Sequence, residues 1–119
     1  MKIHLTFDVE EWVFPEEYKI KSKYNNNTVF SKQGCENILR LLNKHNIKAT
    51  FFITGYFTEK QPELVKEISK QGHEIASHAY KHLNLTALTP TQIKNQIEKS
   101  NKILDKLTKQ KILGFRAPN

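Results

Sequence analysis

A short segment near the middle of the chain, residues 49–54, constrains the fold more than any other feature of the sequence. It reads Ala49-Thr50-Phe51-Phe52-Ile53-Thr54 and is almost continuously apolar and β-prone. A strand with one face in water alternates between apolar and polar residues, whereas strands of a parallel sheet are covered on both faces and need not alternate. The segment therefore predicts a buried strand of a parallel sheet.

Strand-like and helix-like patterns alternate along the rest of the chain. Three more strands are predicted, at residues 2–7, 73–77 and 112–115. Helical patterns lie between the strands and begin at Ser31, a candidate helix cap, at Pro62 and at Leu88-Thr89-Pro90. Such alternation is typical of α/β folds, so we expect about four parallel strands with intervening helices.

Apolar residues that recur at helical spacing form the predicted core. They are Cys35, Ile38, Leu39, Leu41 and Leu42 in the first helix, Leu64, Val65 and Ile68 in the second, and Ile93, Ile97, Ile103 or Leu104, and Leu107 in the third. The chain has a single cysteine, which excludes a disulfide within it. We interpret Cys35 as a small buried residue.

Polar residues with catalytic potential stand at the carboxyl ends of the predicted strands. The first strand leads into a long predicted loop, residues 8–30, which contains Pro15, and long loops in compact domains are often functional. The residues at the strand ends are Asp8 and Glu10, then Thr54 and Gly55, then His78 and His82, and finally Arg116. Because active sites of α/β folds gather at this edge of the sheet, we expect these residues to form one site.

His78 and His82 are the most specific pair in this set. Two imidazoles four positions apart can face the same side of one helical turn and share a metal. A carboxylate from Asp8-Val9-Glu10-Glu11 would complete three protein ligands and leave one position open for water, as in a catalytic metal site. Taken alone, however, such a pair is more often two exposed helix residues, and acids of this kind are more often loop residues.

Four motifs in this order resemble the polysaccharide deacetylases, also called carbohydrate esterase family 4. The motifs are Thr6-Phe7-Asp8 followed by acids, Ala49-Thr50-Phe51-Phe52-Ile53-Thr54-Gly55, Gly72-His73-Glu74-Ile75-Ala76-Ser77-His78 with His82, and Gly114-Phe115-Arg116-Ala117-Pro118. The resemblance runs along the whole chain. In most of the family the metal-binding Asp would fall at Val9, so the segment Asp8-Val9-Glu10-Glu11-Trp12 resembles a branch whose acids are spaced by one residue.

The resemblance implies a site. Glu10, His78 and His82 would bind the metal, and Asp8 would be the general base, with the roles of Asp8 and Glu10 open to exchange. Arg116 would pair with Asp8 and keep it oriented. Zn²⁺ is the expected ion, with Fe²⁺, Co²⁺ and Ni²⁺ as competitors. Glu11 is interpreted as a loop acid.

Four further residues are expected to bind the substrate: Trp12, Thr54, Gly55 and Tyr80. Trp12 would either stack on a sugar ring or cover the mouth of the barrel. A backbone N–H near residues 54–57 would hold the oxyanion. The activity implied is hydrolysis of N-acetyl groups of a glycan or glycan precursor. The alternatives are hydrolysis of a small non-sugar amide and an inactive metal-binding or carbohydrate-binding remnant.

The resemblance implies the N-terminal portion of a deformed (β/α) barrel. Residues 1–119 are expected to be a single domain, apparently truncated at the C-terminus, because the family barrel has more strands than the four predicted here. The histidine expected as general acid is absent, since His4, His45 and His73 are better explained as structural or exposed residues. Open sheet edges would favour a homo-oligomer.

Charge and hydropathy argue against other partners. The net charge is +7, and lysines outnumber acids between residues 93 and 111. No aromatic residues interleave with these lysines and no nucleic-acid motif accompanies them, so we interpret them as a solvated helix face and expect no nucleic-acid partner. No apolar run is long enough to span a membrane. The N-terminus lacks the features of a signal peptide, which predicts a cytoplasmic protein.

Overall fold

Three parallel strands form the sheet in the computed structural model, which describes residues 2–13 and 19–118. They are β1 (Thr6–Val9), β2 (Thr50–Ile53) and β3 (Glu74–Ser77), in the order β1-β2-β3. Val9 pairs with Ile53, and Ile53 pairs with Ser77, so the strands end in register at their carboxyl ends. The segment predicted as a buried strand is thus the central one, and the chain leaves all three strands at the same edge.

Helices connect the strands and complete the predicted α/β architecture, a partial barrel. They are α1 (Val29–Lys44), α2 (Gly55–Lys60), α3 (Pro62–Lys70) and α4 (Pro90–Thr108), with a short 3-10 turn at Leu85–Ala87. The predicted starts of α3 and α4 are confirmed. A capping box fixes the start of α4, because Thr89 and Gln92 exchange side-chain to backbone hydrogen bonds. No helix in these described ranges combines the length and apolar character needed to cross a bilayer.

The core lies on one face of the sheet. Phe51 and Ile53 of β2 are fully buried there, together with Phe57 of α2 and Leu104 of α4. Most of the predicted core positions are also buried, namely Cys35, Leu39, Leu42, Leu64, Val65 and Ile68. Burial, with a smaller contribution from Glu36, raises the pKa of the Cys35 thiol to about 12, which makes it an unreactive core residue.

The opposite face of the sheet is only half-covered in the described part of the chain. Phe52 points away from the core and is half-buried, and the Arg116 guanidinium lies over its ring at 4.0 Å from the centroid. Asp8 pairs with Phe52 in the β1–β2 register and is therefore on the same face. The prediction that both faces are covered is thus confirmed for one face only, and the other face carries polar groups of the candidate site.

The two outer strands differ from their predicted positions. The first strand begins at Thr6 rather than residue 2, because its partner β2 begins only at Thr50, and Ile3 is 73% exposed. Residues 112–115 form a single parallel bridge, from Phe115 to Ser77, instead of a fourth strand. Leu113 in that segment is 82% exposed. The segment contacts β3 only around Ser77, which donates to the Gly114 carbonyl and accepts from the Arg116 backbone N–H, and this pairing is too short to form a strand.

Helix α1 also departs from its prediction. It begins at Val29 rather than at Ser31, and Thr28 occupies the N-cap position. Leu41 was expected in the core but is 58% exposed. At 100° per residue, Leu41 lies well off the buried face that Cys35, Leu39 and Leu42 share. The prediction that Leu41 is a core residue is therefore wrong.

His73 couples the fold to pH, since its ring is buried at the amino end of the sheet. Its Nδ1 accepts a hydrogen bond from the Ala49 backbone N–H at 3.2 Å, so this nitrogen must stay unprotonated. Burial, followed by the charge of Lys48, lowers the pKa of His73 below its ordinary value of 6.5. The folded state therefore disfavours the protonated ring.

We expect His73 to lower the free energy of unfolding in mild acid. Its contribution is fully present above pH 6.5 and is lost as the pH falls from 6.5 towards the lowered folded-state pKa, because the unfolded chain then binds the extra proton. The His73→Gln variant keeps an acceptor for Ala49 but does not titrate. Urea unfolding from pH 5 to pH 8 should show the free energy of wild type falling relative to this variant below pH 6.5. A constant difference across that range would contradict the prediction.

Candidate metal centre

Glu10, His78 and His82 converge at the carboxyl edge of the sheet. Glu10 follows β1 and the two histidines follow β3. Glu10 Oε2 lies 3.2 Å from His78 Nε2 and 3.3 Å from His82 Nε2. The three potential ligand atoms all lie within 4.8 Å of one another. The residues predicted as metal ligands are therefore the ones that the fold brings together.

The orientation of the His78 ring leaves its Nε2 available to bind a metal. His78 is 2% exposed, and its Nδ1 lies 2.8 Å from the Arg116 backbone carbonyl oxygen. A carbonyl oxygen can only accept, so Nδ1 is the donor and Nε2 faces Glu10 with a free lone pair in the neutral ring. A second hydrogen bond of this kind is typical of histidines that bind metals.

The electrostatics of His78 show that this position attracts positive charge. Burial by itself lowers its pKa, but the hydrogen bonds with Glu10 and the Arg116 carbonyl, together with the charges of Asp8 and Glu10, outweigh burial and raise that pKa. The same negative charges that raise this pKa would also favour a metal cation beside His78.

The donor set fits a divalent metal. Glu10 Oε2 is buried and faces two imidazole nitrogens, but it has no hydrogen-bond donor while the His78 ring is neutral and carries its proton on Nδ1. A buried carboxylate oxygen without a donor is costly, and a bound cation would satisfy it. One carboxylate and two imidazoles are the ligand types that Zn²⁺ takes in catalytic sites with an open position.

The local structure around the histidines differs from the predicted helical turn. Residues 78–82 follow β3 as an irregular segment, and Ala79 has a left-handed φ of 62°. The Ala79 and Tyr80 carbonyls accept hydrogen bonds from the Gly55 and Tyr56 backbone N–H groups, at 3.0 and 2.8 Å. Because these carbonyls bond to the start of α2, they are not available for a helix, and the imidazoles converge through a bent loop.

Asp8 and Arg116 form the second part of the site. Arg116 Nη1 donates to Asp8 Oδ1 at 2.5 Å, and Nη2 donates to Thr6 Oγ1 at 3.0 Å. The predicted pairing of Asp8 with Arg116 is present. Arg116 thus links the two parts of the site, because its side chain holds Asp8 while its backbone carbonyl orients His78.

Trp12 lies beside the ligands at the wall of a cavity. The cavity has a volume of about 600 Å³ and is lined by Glu10, Glu11, Trp12, Val13, Phe30, Ser31 and His82. Trp12 is 38% exposed and packs against Tyr24 and Phe30, with ring centroids 6.1 and 5.8 Å away. An indole held at this position offers a flat apolar surface next to the candidate metal centre.

Thr54 and Gly55, which are predicted to bind substrate, are both buried and face the protein, so neither reaches the cavity beside Trp12. The backbone N–H groups of residues 54–57 donate to the Val9 carbonyl, the Ala79 carbonyl, the Tyr80 carbonyl and Thr54 Oγ1, in that order. None of these four amides is left to hold an oxyanion. A Cβ at Gly55 would lie 2.8 Å from a Tyr80 ring carbon, so glycine is needed here for close packing.

Tyr80 is also a packing residue and not part of the cavity wall. Its hydroxyl donates to Glu59 Oε2 at 2.9 Å, and the Lys99 ammonium lies 3.3 Å from its ring centroid. These contacts direct the ring towards α2 and α4. Tyr80 is thus not brought to the cavity beside Trp12, and its role in substrate binding stays a prediction.

Glu11 is the site residue that sequence reasoning missed. It was interpreted as a loop acid, but its side chain is fully buried. Glu11 Oε1 accepts from the His82 backbone N–H at 3.0 Å, and Oε2 accepts from Thr54 Oγ1 at 2.7 Å. Its place between a candidate ligand and the apolar pair Trp12-Val13 was the available signal.

These features define an α/β protein with a candidate metal centre of one carboxylate and two imidazoles at the carboxyl ends of its strands. A model of the polysaccharide deacetylase family matches residues 2–119. The chain belongs to this family, as its motifs predicted.

Individual relatives agree with this assignment. The chain is 40% identical over 82 residues to the peptidoglycan-N-acetylmuramic acid deacetylase PdaA of Bacillus subtilis (strain 168), a match that covers 68% of this chain and 31% of that protein. A solved peptidoglycan N-acetylglucosamine deacetylase, in complex with a naphthalenyl N-oxidanyl-benzamide, is similar with a TM-score of 0.75 at 33% identity, over 97% of this chain and 45% of that one. A CE4 family pseudoenzyme from Bacillus anthracis has a TM-score of 0.76 at 28% identity, over 97% of this chain and 34% of that one. The chain spans about a third of the length of the curated relatives that it matches.

Proposed function

We propose that this chain is a metal-dependent deacetylase that hydrolyses N-acetyl groups of a glycan. The observation that carries the proposal is the convergence of Glu10, His78 and His82, in a member of the polysaccharide deacetylase family. Two relatives whose names specify peptidoglycan deacetylation make peptidoglycan-type amino sugars the first substrates to test. Zn²⁺ is the expected ion, with Fe²⁺, Co²⁺ and Ni²⁺ as competitors for the same donors.

The residues of the chain divide the chemistry between them. A divalent metal bound by Glu10, His78 and His82 would polarise the amide carbonyl and lower the pKa of a water. Asp8 would accept the proton of the attacking water, and Arg116 would hold Asp8 Oδ1 in place. The geometry favours Glu10 as the ligand and Asp8 as the base, because Glu10 faces the imidazoles whereas Asp8 is bonded to Arg116.

The leaving amine must gain a proton, and no remaining histidine is placed to supply it. His4 is exposed ahead of β1, His45 lies at the end of α1, and His73 is buried at the amino end of the sheet. We therefore expect slow turnover by this chain alone. The similarity to a CE4 family pseudoenzyme favours one alternative, an inactive chain that still binds metal or carbohydrate.

The test combines metal content with amine release. Protein purified without added metal is examined by elemental analysis and then assayed on N-acetylglucosamine oligomers, on peptidoglycan fragments and on small linear amides. About one equivalent of metal and metal-dependent amine release from the glycans are expected. Metal binding without amine release would favour the inactive alternative, and release only from small amides would favour an amidohydrolase. Release that persists after complete metal removal would contradict the proposal.

Trp12 is expected to contribute substrate binding more than turnover. Replacing Trp12 with alanine should raise KM for a glycan about tenfold, equivalent to about 1.4 kcal/mol, with little change in kcat, because a stacking surface binds ground state and transition state alike. The Trp12→Phe variant keeps an aromatic face and should lose less. Because Trp12 is the only tryptophan, its fluorescence in wild type reports glycan binding even where turnover is slow. An unchanged KM in Trp12→Ala would show that the ring only covers the barrel.

A further inference from the structure

The buried carboxylate of Glu11 connects two segments that are far apart in sequence. Its oxygens accept hydrogen bonds from the His82 backbone N–H and from the Thr54 hydroxyl, at 3.0 and 2.7 Å. The side chain is fully buried, so water does not compete for these bonds. Both oxygens accept a hydrogen bond, and among the described residues the converging ligand atoms belong to Glu10, His78 and His82 and not to Glu11.

The hydrogen bonds around Glu11 have a fixed direction. The Phe57 backbone N–H donates to Thr54 Oγ1 at 3.1 Å, so the Thr54 hydroxyl, which accepts at the start of α2, has its proton free for Glu11. Glu11 in turn accepts from both Thr54 and His82. The result is a chain of bonds that runs from the start of α2, through the end of β2, to the backbone of His82.

The segment that contains His82 has no regular secondary structure, so hydrogen bonds to other elements hold its backbone. The Ala79 and Tyr80 carbonyls are held by the first turn of α2, and the Lys81 backbone N–H donates to Gln96 of α4 at 3.0 Å. At His82 itself, the backbone N–H donates to Glu11. The backbone of His82 is thus held in part by the carboxylate next to Glu10 in the sequence.

We propose that Glu11 is a positioning residue, whose buried carboxylate ties the backbone of His82 to Thr54 and so holds the His82 imidazole where it shares one cation with Glu10 and His78. Glu11 acts through the backbone of His82, and its own side chain is fully buried. The proposal rests on the metal centre proposed above. It also makes a statement about the metal-free protein, namely that the His82 amide is held by Glu11.

The test compares Glu11→Gln with a control variant that lowers the stability of the fold at a position away from the site. Glutamine has the shape of glutamate, but an NH₂ group replaces one of the two carboxylate oxygens. This NH₂ group would face either the His82 N–H or the Thr54 hydroxyl, and both of these donate to Glu11 in the wild type. Ile68→Val, in the core at α3, is the control that lowers stability without touching the site. Amide exchange at His82 is measured by NMR in metal-free protein, and Zn²⁺ affinity by competition with a chromophoric chelator.

In Glu11→Gln, we expect exchange at His82 to accelerate and Zn²⁺ affinity to fall about 10-fold to 100-fold, the range seen when partners of metal ligands are removed. The absorption spectrum of the Co²⁺ form should change as well. Ile68→Val should keep the wild-type affinity and spectrum, which separates positioning from general stability. Wild-type protection at His82 and wild-type affinity in folded Glu11→Gln would overturn the proposal.

A second pair of variants covers the case in which Glu11→Gln does not fold. Thr54→Val removes the hydroxyl that holds Glu11 and should lower Zn²⁺ affinity, whereas Thr54→Ser keeps the hydroxyl and should restore it. Equal affinity in these two folded variants would contradict the proposal. If wild type binds no metal at all, the proposed function fails, and exchange at His82 still decides whether Glu11 holds this residue.

Discussion

Replacing His78 with alanine is expected to abolish stoichiometric metal binding. The imidazole supplies one of three protein ligands, its Nε2 lies 3.2 Å from Glu10 Oε2, and its ring is already oriented by the Arg116 carbonyl. Loss of a ligand should weaken binding by more than the roughly 100-fold that removal of an outer partner can cost. Elemental analysis and chelator competition on the purified variant measure the effect.

Controls for this experiment are available within the chain. His82→Ala should behave like His78→Ala, because its Nε2 lies at nearly the same distance from Glu10. His45→Ala changes a histidine at the end of α1, away from the strand ends, and should keep the wild-type metal content. If His78→Ala retained one equivalent of metal, the centre formed by Glu10 and the two histidines would be excluded as the site.

The elements that could be predicted from sequence are those with local signals. The central strand was recognisable because residues 49–54 are almost continuously apolar, and α4 because Leu88-Thr89-Pro90 is a helix-start pattern. Convergence of Glu10 with His78 and His82 was also predictable in outline, since the carboxyl ends of parallel strands meet at one edge. Periodicity and strand order were sufficient to bring the acids and histidines to one edge, whereas the choice of Glu10 as the ligand depended on the family resemblance.

The features that could not be predicted depend on contacts between distant residues. Helix α2 begins at Gly55, a residue that in the sequence only indicates the end of a strand. The structure shows that the Thr54 side chain caps this helix by accepting from the Phe57 backbone N–H. The helical turn expected for His78 and His82 is replaced by a loop because its carbonyls bond to the start of α2. The apolar neighbours Trp12 and Val13 suggest that Glu11 could be buried, but they do not identify its partners Thr54 and His82, which lie 43 and 71 positions away.

The substitution Asp8→Asn is expected to reduce kcat on a glycan substrate about 10²-fold to 10⁴-fold, the range typical of general-base catalysis, while metal content stays at the wild-type level. Asparagine keeps an oxygen that can accept from Arg116 Nη1, so the geometry at the end of β1 is preserved. It cannot, however, take a proton from water. The exposed carboxylate of Glu98 on α4 provides a matched control, because Glu98→Gln makes the same chemical change outside the site.

Measuring metal content and kcat on the same samples of Asp8→Asn and Glu10→Gln decides the roles of the two acids. With Glu10 as ligand and Asp8 as base, Glu10→Gln should lose metal and activity together, whereas Asp8→Asn should lose activity alone. The reverse pattern would make Asp8 the ligand and would contradict the geometry, in which Glu10 Oε2 is the carboxylate oxygen that faces both imidazoles. Because Asp8 and Glu10 differ in position by two residues along β1 and its extension, they emerge on the same face of the sheet, and their separate partners, Arg116 and the histidine pair, are what assigns them different chemistry.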